Sequence, residues 1–206
     1  TIVGVDLHIE DNGTLPSFDL PALTSVGQTL WFEDNDHLTS FDLPALTTVD
    51  VDLRIGYHAA LTSFGLPALT TVGETVYIYD NGALTSLVSF SVRTSVGSHL
   101  CVQCNRALTS LDLPALTNVV DDLYIYDNDG LTSLDLPGLT SVGSTLWVQS
   151  NGALTSFAMP SLTTADALDI CCNDCMSQAD AEAFAAGLTV GGPVDVYGNG
   201  ANYPCS

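Results

Sequence analysis

The sequence predicts an all-β solenoid of about nine 23-residue coils, closed near its C-terminal end by a short capping helix. Three observations carry this. The tripeptide Leu-Thr-Ser starts at 38, 61, 84, 108, 131 and 154, with Leu-Pro-Ser at 15, so the spacing is 23 with a single 24. A second marker recurs at Asn12, Asn35, His58, Asn81, Asn105, Asn128, Asn151, Asn173 and Asn199. Between the markers, apolar residues alternate with period two, and no unit has room for a long helix.

Each unit holds two short strand-like segments. The first, Leu-x-x-Leu/Phe-x-Leu, stops at a proline such as Pro21, Pro44, Pro67, Pro114, Pro137 or Pro160. Proline donates no hydrogen bond and suits a corner where a ladder ends. The second is Leu-x-Ile-x-x-Asn, as in Leu123-Tyr124-Ile125-Tyr126-Asp127-Asn128. Its inward positions form two apolar columns, Leu7 to Val194 and Ile9 to Val196, which no single repeat buries alone. Strands stacked about 4.8 Å apart make nine coils a rod on the order of 40 Å long. The Asn column is expected to be a structural amide ladder at a corner.

The unit L-T-S-L-x-L-P-x-L-T-x-V-G resembles bacterial surface leucine-rich repeats of the 23-residue type. The segment G-x-x-L-x-I-x-x-N-x-x-L is similar to the receptor L domain and related fungal cell-wall proteins. The resemblance covers residues 3 to about 199 and is a repeat signature, without a catalytic motif. It implies a right-handed β-solenoid and, loosely, a surface, adhesive or recognition role.

The chain divides into a repeat solenoid, 1–170, and a Cys-rich C-terminal coil and cap, 171–206. Ser177 is a good N-cap, Asp180 follows three positions on, and Gln178 to Ala186 reads as a short helix stopped at Gly187. Cys171, Cys172, Cys175 and Cys205 bracket this helix; disulfides there would tie down the last strand, and a thiolate metal site is the alternative. The N-terminal coil has no helix or cysteine over it. A removed leader or cap, a trimmed boundary, or a covering molecule would each account for that; the last would let protomers stack end to end as a fibre.

Outward positions of the second segment form two further columns. One runs His8, Trp31, Arg54, Tyr77, Cys101, Tyr124, Trp147, Asp169, Asp195; the next runs Glu10, Glu33, Gly56, Tyr79, Gln103, Tyr126, Gln149, Cys171, Tyr197. Trp31, Arg54, Tyr77, Tyr79, Tyr124, Tyr126 and Trp147 are therefore the candidate interface or ligand face. It could dock another protomer, stack on sugar rings, or merely stiffen the sheet.

Acidic residues also fall in register: Asp19, Asp42, Asp112 and Asp135 in one column, Asp11, Asp34, Asp80 and Asp127 in another. Solvated turns are the expected reading; Ca²⁺ is a possible ligand, with Asp34, Asp36, Asp127 and Asp129 as weak candidates because no segment matches a Ca²⁺ loop. Thr columns at 39, 62, 85, 109, 132, 155 and at 24, 47, 70, 94, 117, 140, 163 fit β-rich corners, O-linked sugars, or an ice-binding array. Asn12-Gly13-Thr14 is an N-glycosylation sequon. The repeat breaks in coils three to five, which carry Arg54, Arg93 and Arg106. The unit from Leu84 to Ala107 has an extra residue, lacks the proline, and adds His99, Cys101 and Cys104. Those two cysteines lie roughly three coils, about 14 Å, from the terminal cluster, beyond disulfide reach. Pairing with each other is the expectation, with free thiols or an interchain bond as alternatives.

Composition narrows the role. The formal charge is −21, from 24 Asp+Glu against three Arg. So few cations cannot neutralise a run of phosphates, and an anionic membrane surface would repel the chain. Yet 46% of residues are apolar, which a disordered chain would not carry. No nucleophile–base pair, phosphate loop or zinc motif is present, and the four His residues are scattered. The expectation is a non-enzymatic, extracellular or cell-surface structural or adhesive protein. It would need no cofactor, with Ca²⁺ as the possible exception. Its partner would be itself as a homopolymer, a neighbouring surface protein or a glycan, without nucleic acid or membrane insertion.

Overall fold

In the computed structural model, which describes residues 1–87 and 95–200, the chain winds as a parallel β-solenoid. Nine four-residue segments stack in register, from Leu7–Glu10 and Leu30–Glu33 to Val194–Tyr197, and enclose about eight complete turns. The pairing runs Leu7↔Leu30↔Leu53↔Val76↔Leu100↔Leu123↔Leu146↔Leu168↔Val194, the inward column read from the sequence.

Most described coils have three strand segments where the sequence pattern showed two. The additional one is a two-residue strand, such as Ser25–Val26 or Thr48–Val49, after the proline corner. Two residues are too few for alternation to show, so the sequence reads them as part of the corner. The third face carries three-residue strands in two blocks, Ser17–Asp19 to Ser63–Gly65 and Ser110–Asp112 to Ser156–Ala158. A single bridge, Ser86↔Ser110, stands at the irregular unit between them. Arg93 and Thr94 lie outside the described residues.

Corners repeat as faithfully as strands. In Leu43-Pro44-Ala45-Leu46 the Leu46 N–H donates to the Leu43 carbonyl at 3.1 Å, a turn with proline at its second position. In Asn35–Leu38 the Leu38 N–H donates to the Asn35 carbonyl at 2.9 Å. The residue before each Asn takes a left-handed conformation: Asp11, Asp34, Tyr57, Asp80, Cys104, Asp127, Ser150 and Cys172 have φ between 52° and 61°. Asp tolerates that region better than most residues, which gives the second acidic column a backbone reason.

The core is one continuous stack. Leu30, Leu53, Leu123, Ile55 and Ile125 are fully buried, and Phe18, Phe41 and Phe64 stack at 5.3 Å per rung, within 4° of parallel. The Asn column is buried beside it. Asn105 Nδ2 donates to the Ile78 carbonyl of the preceding rung and to the Gln103 carbonyl of its own, while its Oδ1 accepts the Asn81 N–H. His58 replaces one rung; its Nδ1 accepts the Asn35 N–H at 3.2 Å. That substitution leaves His58 Nε2 and Asn81 Oδ1 buried without partners.

Both Thr columns are stitches of the same kind. The Thr47 hydroxyl donates to the Thr24 carbonyl, Thr140 to Thr117, Thr62 to Thr39 and Thr132 to Thr109, each across one rung. The hydroxyls that an ice-binding array would present are engaged in the fold's own backbone.

The helix Gln178–Ala186 is where the sequence placed it, with Ser177 Oγ accepting the Asp180 N–H. Gly187 ends it with φ −80°, so the stop uses no left-handed glycine. Ala181 is fully buried and Phe184 meets Phe157 edge to face at 4.5 Å. Among the described residues, no helix is long and apolar enough to cross a membrane.

Candidate functional site: an outward sheet of aromatic rings

The outward columns are as the sequence registers them. Trp31 pairs with Arg54, Arg54 with Tyr77, Tyr77 with Cys101, Cys101 with Tyr124 and Tyr124 with Trp147. Tyr79, Gln103 and Tyr126 follow in the neighbouring column. The structure adds how tightly these side chains hold one another.

On the N-terminal side of the face, His8 meets Trp31 edge-on at 4.1 Å. The Arg54 guanidinium lies 5.6 Å from the Trp31 ring and 4.7 Å from the Tyr77 ring, a cation between two π faces. Asp52, two residues earlier, fixes that guanidinium at 2.9 Å. Tyr79 lies down across Gly56, and its hydroxyl donates to Glu33 two rungs away. A Cβ on Gly56 would sit 2.5 Å from the Tyr79 ring, so glycine is what lets this tyrosine recline. Burial, reinforced by the Glu33 carboxylate, raises the Tyr79 hydroxyl well above its ordinary range.

On the C-terminal side Tyr124 stacks on Trp147 at 5.8 Å, and its hydroxyl donates to Asp122 at 3.0 Å. Burial and the bond to Asp122 push the Tyr124 hydroxyl up to about 12. Asp122 also accepts the Thr145 N–H at 2.8 Å and lies 3.1 Å from His99. Burial opposes its charge, yet the Thr145, Ser144 and Tyr124 donors with His99 hold the carboxyl below its usual range. The indole nitrogens of Trp31 and Trp147 are buried and unbonded, so each ring turns its N–H edge inward.

Asp52, Asp122 and His99 were not in the expected face columns, whereas Gly56 was. Asp52 and Asp122 continue the outward alternation two residues upstream of the aromatic column, a pattern present in the sequence. The repeat places Gly56 beside Tyr79, 23 positions on, but spacing alone does not show that the ring reclines over it.

The cysteines depart from expectation. Cys101 and Cys104 are both free thiols. Cys101 is only 5% exposed and its thiol donates to Gln103 Oε1 at 3.2 Å, whereas Cys104 occupies the left-handed corner. Their backbone positions send the two side chains to different surroundings, so the expected pair does not form. Burial pushes the Cys101 thiol up to about 12, which makes it inert. Burial and then Asp80 and Asp127 raise Cys104. In the C-terminal cluster Cys175 is disulfide-bonded, as a disulfide cap requires, whereas Cys171 and Cys172 are free. Cys205 lies outside the described residues.

Among the described residues, no three His, Cys, Asp or Glu side chains converge as a metal ion would require. Asp34 and Asp127 are left-handed corner residues, and Asp129 is engaged loosely by Arg106 at 3.9 Å. Asp34 and Asp36 line a shallow hollow with Tyr57 and Asp80. Asn12 of the sequon is exposed, with its side-chain nitrogen donating to the Glu10 carbonyl at 2.8 Å.

At the N-terminal end Thr1, Val3, Leu7, Leu20, Pro21 and Leu23 line an apolar opening of about 280 Å³. No family model matches the sequence, and no curated protein or solved structure matches it.

Proposed function

We propose that the protein is a non-enzymatic structural or adhesive rod that works outside the cell and assembles with copies of itself through its aromatic sheet, its coil end, or both. The observation that carries this is the outward sheet. Its large rings are held by one another, edge to face or stacked, and by Arg54 between Trp31 and Tyr77, instead of lining a cleft around reactive groups. Rigid aromatic surface loses little side-chain entropy when it meets a partner, and such patches mark contact sites. The resemblance to surface leucine-rich repeats and L domains supports the same role, as does the acidic, Lys-free composition.

The helix over the last coil weighs on the geometry of assembly. It stands where the first rung of a following copy would stack, so a fibre built by simple end-to-end stacking has to displace it. A contact through the aromatic sheet has no such obstacle. Electron microscopy of concentrated full-length protein, with sedimentation velocity in the presence and absence of Ca²⁺, tests the reading. The expected result is oligomers or fibres that dissociate in Trp31→Ser and Tyr77→Ser variants. A monodisperse monomer throughout would overturn self-assembly.

A further inference from the structure

One Asn of the ladder differs from the rest. Asn12 is exposed, whereas the later Asn rungs, from Asn35 to Asn199, are buried. In every later Asn rung the side-chain nitrogen reaches back to a carbonyl of the preceding rung, as Asn35 does to Ile9 and Asn151 to Ile125. Most also donate to the carbonyl two residues upstream, as Asn35 does to Glu33 and Asn151 to Gln149. A primary amide has two N–H groups, so those side chains are fully used. Asn12 makes only the second kind of bond, to the Glu10 carbonyl at 2.8 Å. Its other side-chain N–H, the one that runs along the axis elsewhere, is unpaired and faces out of the N-terminal coil end. The same rung carries the chain's only Asn-x-Ser/Thr sequence, Asn12-Gly13-Thr14. Where Thr14 stands, later rungs have residues without a hydroxyl, such as Ala83, Ala107 and Ala153. The surroundings are open: Thr14 is exposed, and a Cβ on Gly13 would meet nothing within 4 Å.

We propose that Asn12 carries an N-linked oligosaccharide that closes the N-terminal coil end to stacking. The inference rests on the extracellular reading above and takes the coil end out of the assembly described there, leaving the aromatic sheet. Transfer needs an accessible amide with a hydroxyl two residues on, and the first rung alone combines the two. In that step the Asn12 nitrogen bonds to C1 of a sugar held on a lipid pyrophosphate. The C1–O bond breaks, the pyrophosphate leaves with the bonding pair, and the nitrogen gives up one proton. The product keeps one N–H, enough to retain the bond to Glu10. On any buried rung the same substitution would cost a bond that holds two coils together, such as that from Asn151 to Ile125. A rung of another copy stacked on this end would lie about 4.8 Å from Asn12, in the space the first sugar takes. With the helix over the last coil, both ends of the rod are then closed.

Secretion of the full chain from cultured eukaryotic cells, which supply the lipid-linked donor, tests this by intact mass before and after peptide N-glycosidase. The parent is expected to leave the cell with a raised mass, and the enzyme to remove the sugar and leave Asp at position 12. Thr14→Ala should lose the modification and melt as the enzyme-treated parent does. Ala153→Thr writes the same sequence onto the buried rung of Asn151. It should be secreted poorly or without sugar, whereas Ala153→Val, of the same shape without the hydroxyl, should behave as the parent. A secreted parent bare at Asn12 overturns the inference. So does a folded Ala153→Thr variant glycosylated at Asn151, because the first rung would then not stand apart. Sedimentation of the glycosylated protein separates the two readings. Oligomers that survive both Trp31→Ser and Tyr77→Ser while Asn12 is glycosylated would run through the coil end and overturn its closure. A glycosylated monomer sinks only self-assembly, whereas oligomers of an unmodified chain sink only the glycan.

Discussion

The two ends of the rod are finished differently. At the C-terminal end the last amide rung, Asn199, directs its backbone N–H and its side-chain nitrogen to Gln178 Oε1, at 3.2 and 3.3 Å. Gln178 Nε2 in turn donates to the Val196 carbonyl. The helix thus supplies one further rung of side-chain amide without another coil. At the N-terminal end Ile2 is 72% and Val5 61% exposed, and Leu7, Ile9, Phe18 and Leu20 are half-buried where their equivalents one rung on are buried. The ladder itself is polar. Each Asn N–H points toward the C-terminal neighbour, so that end leaves donors to satisfy and the other leaves the Asn12 oxygen as an acceptor. Stranded donors are the less tolerated of the two.

The comparison can be tested by position, starting with the core. Leu123→Ala, in mid-rod, is expected to cost about 3 kcal/mol, and Leu7→Ala, on the open rung, less than about 1 kcal/mol. Chemical denaturation of both variants measures the contrast; equal costs would mean that the open rung is covered in solution.

The interior ladder can be titrated at His58. Burial lowers its pKa from 6.5 to about 4. The folded value lies below the unfolded one, so the unfolded chain takes up the proton first as pH falls. Stability is therefore full above about 6.5 and declines as pH drops toward about 4, by about 3 kcal/mol in all. His58→Asn should remove this slope and supply the missing partner of Asn81 Oδ1. A pH series of melts on both proteins checks it, and an unchanged slope in the variant would assign it elsewhere.

At the capped end, Gln178→Ala strands the Asn199 donors and should cost about 2 kcal/mol. Ser177→Ala removes only the helix cap and should cost about 1 kcal/mol. Hydrogen exchange would place the first loss at the last rung and the second at the helix.

The repeat made the register of every column legible, because a solenoid translates sequence spacing directly into spatial neighbours. The capping helix was legible from Ser177, Asp180 and the stop at Gly187. The left-handed corner was not, since Asp at 11, 34, 80 and 127 is equally consistent with a charge column and with a backbone demand. The cysteines were misjudged for a related reason. Cys101 and Cys104 are close in sequence, but one lies in a strand and the other at a corner, and spacing does not give direction. The aromatic face itself could be read, whereas the bonds that brace it, Asp52 to Arg54 and Asp122 to Tyr124 within a rung and Glu33 to Tyr79 two rungs away, became visible only with the packing.

Parallel pairing between rungs has a mechanical consequence. The inter-rung hydrogen bonds run along the axis of the rod, so tension applied between its two ends loads them in series. Rungs then yield one at a time from the less secured end, without failing together. Each 23-residue coil that unwinds releases up to about 75 Å of slack. A folded rod of about 40 Å is in this respect a stepwise extensible tether, with its helical cap as the last rung to give way.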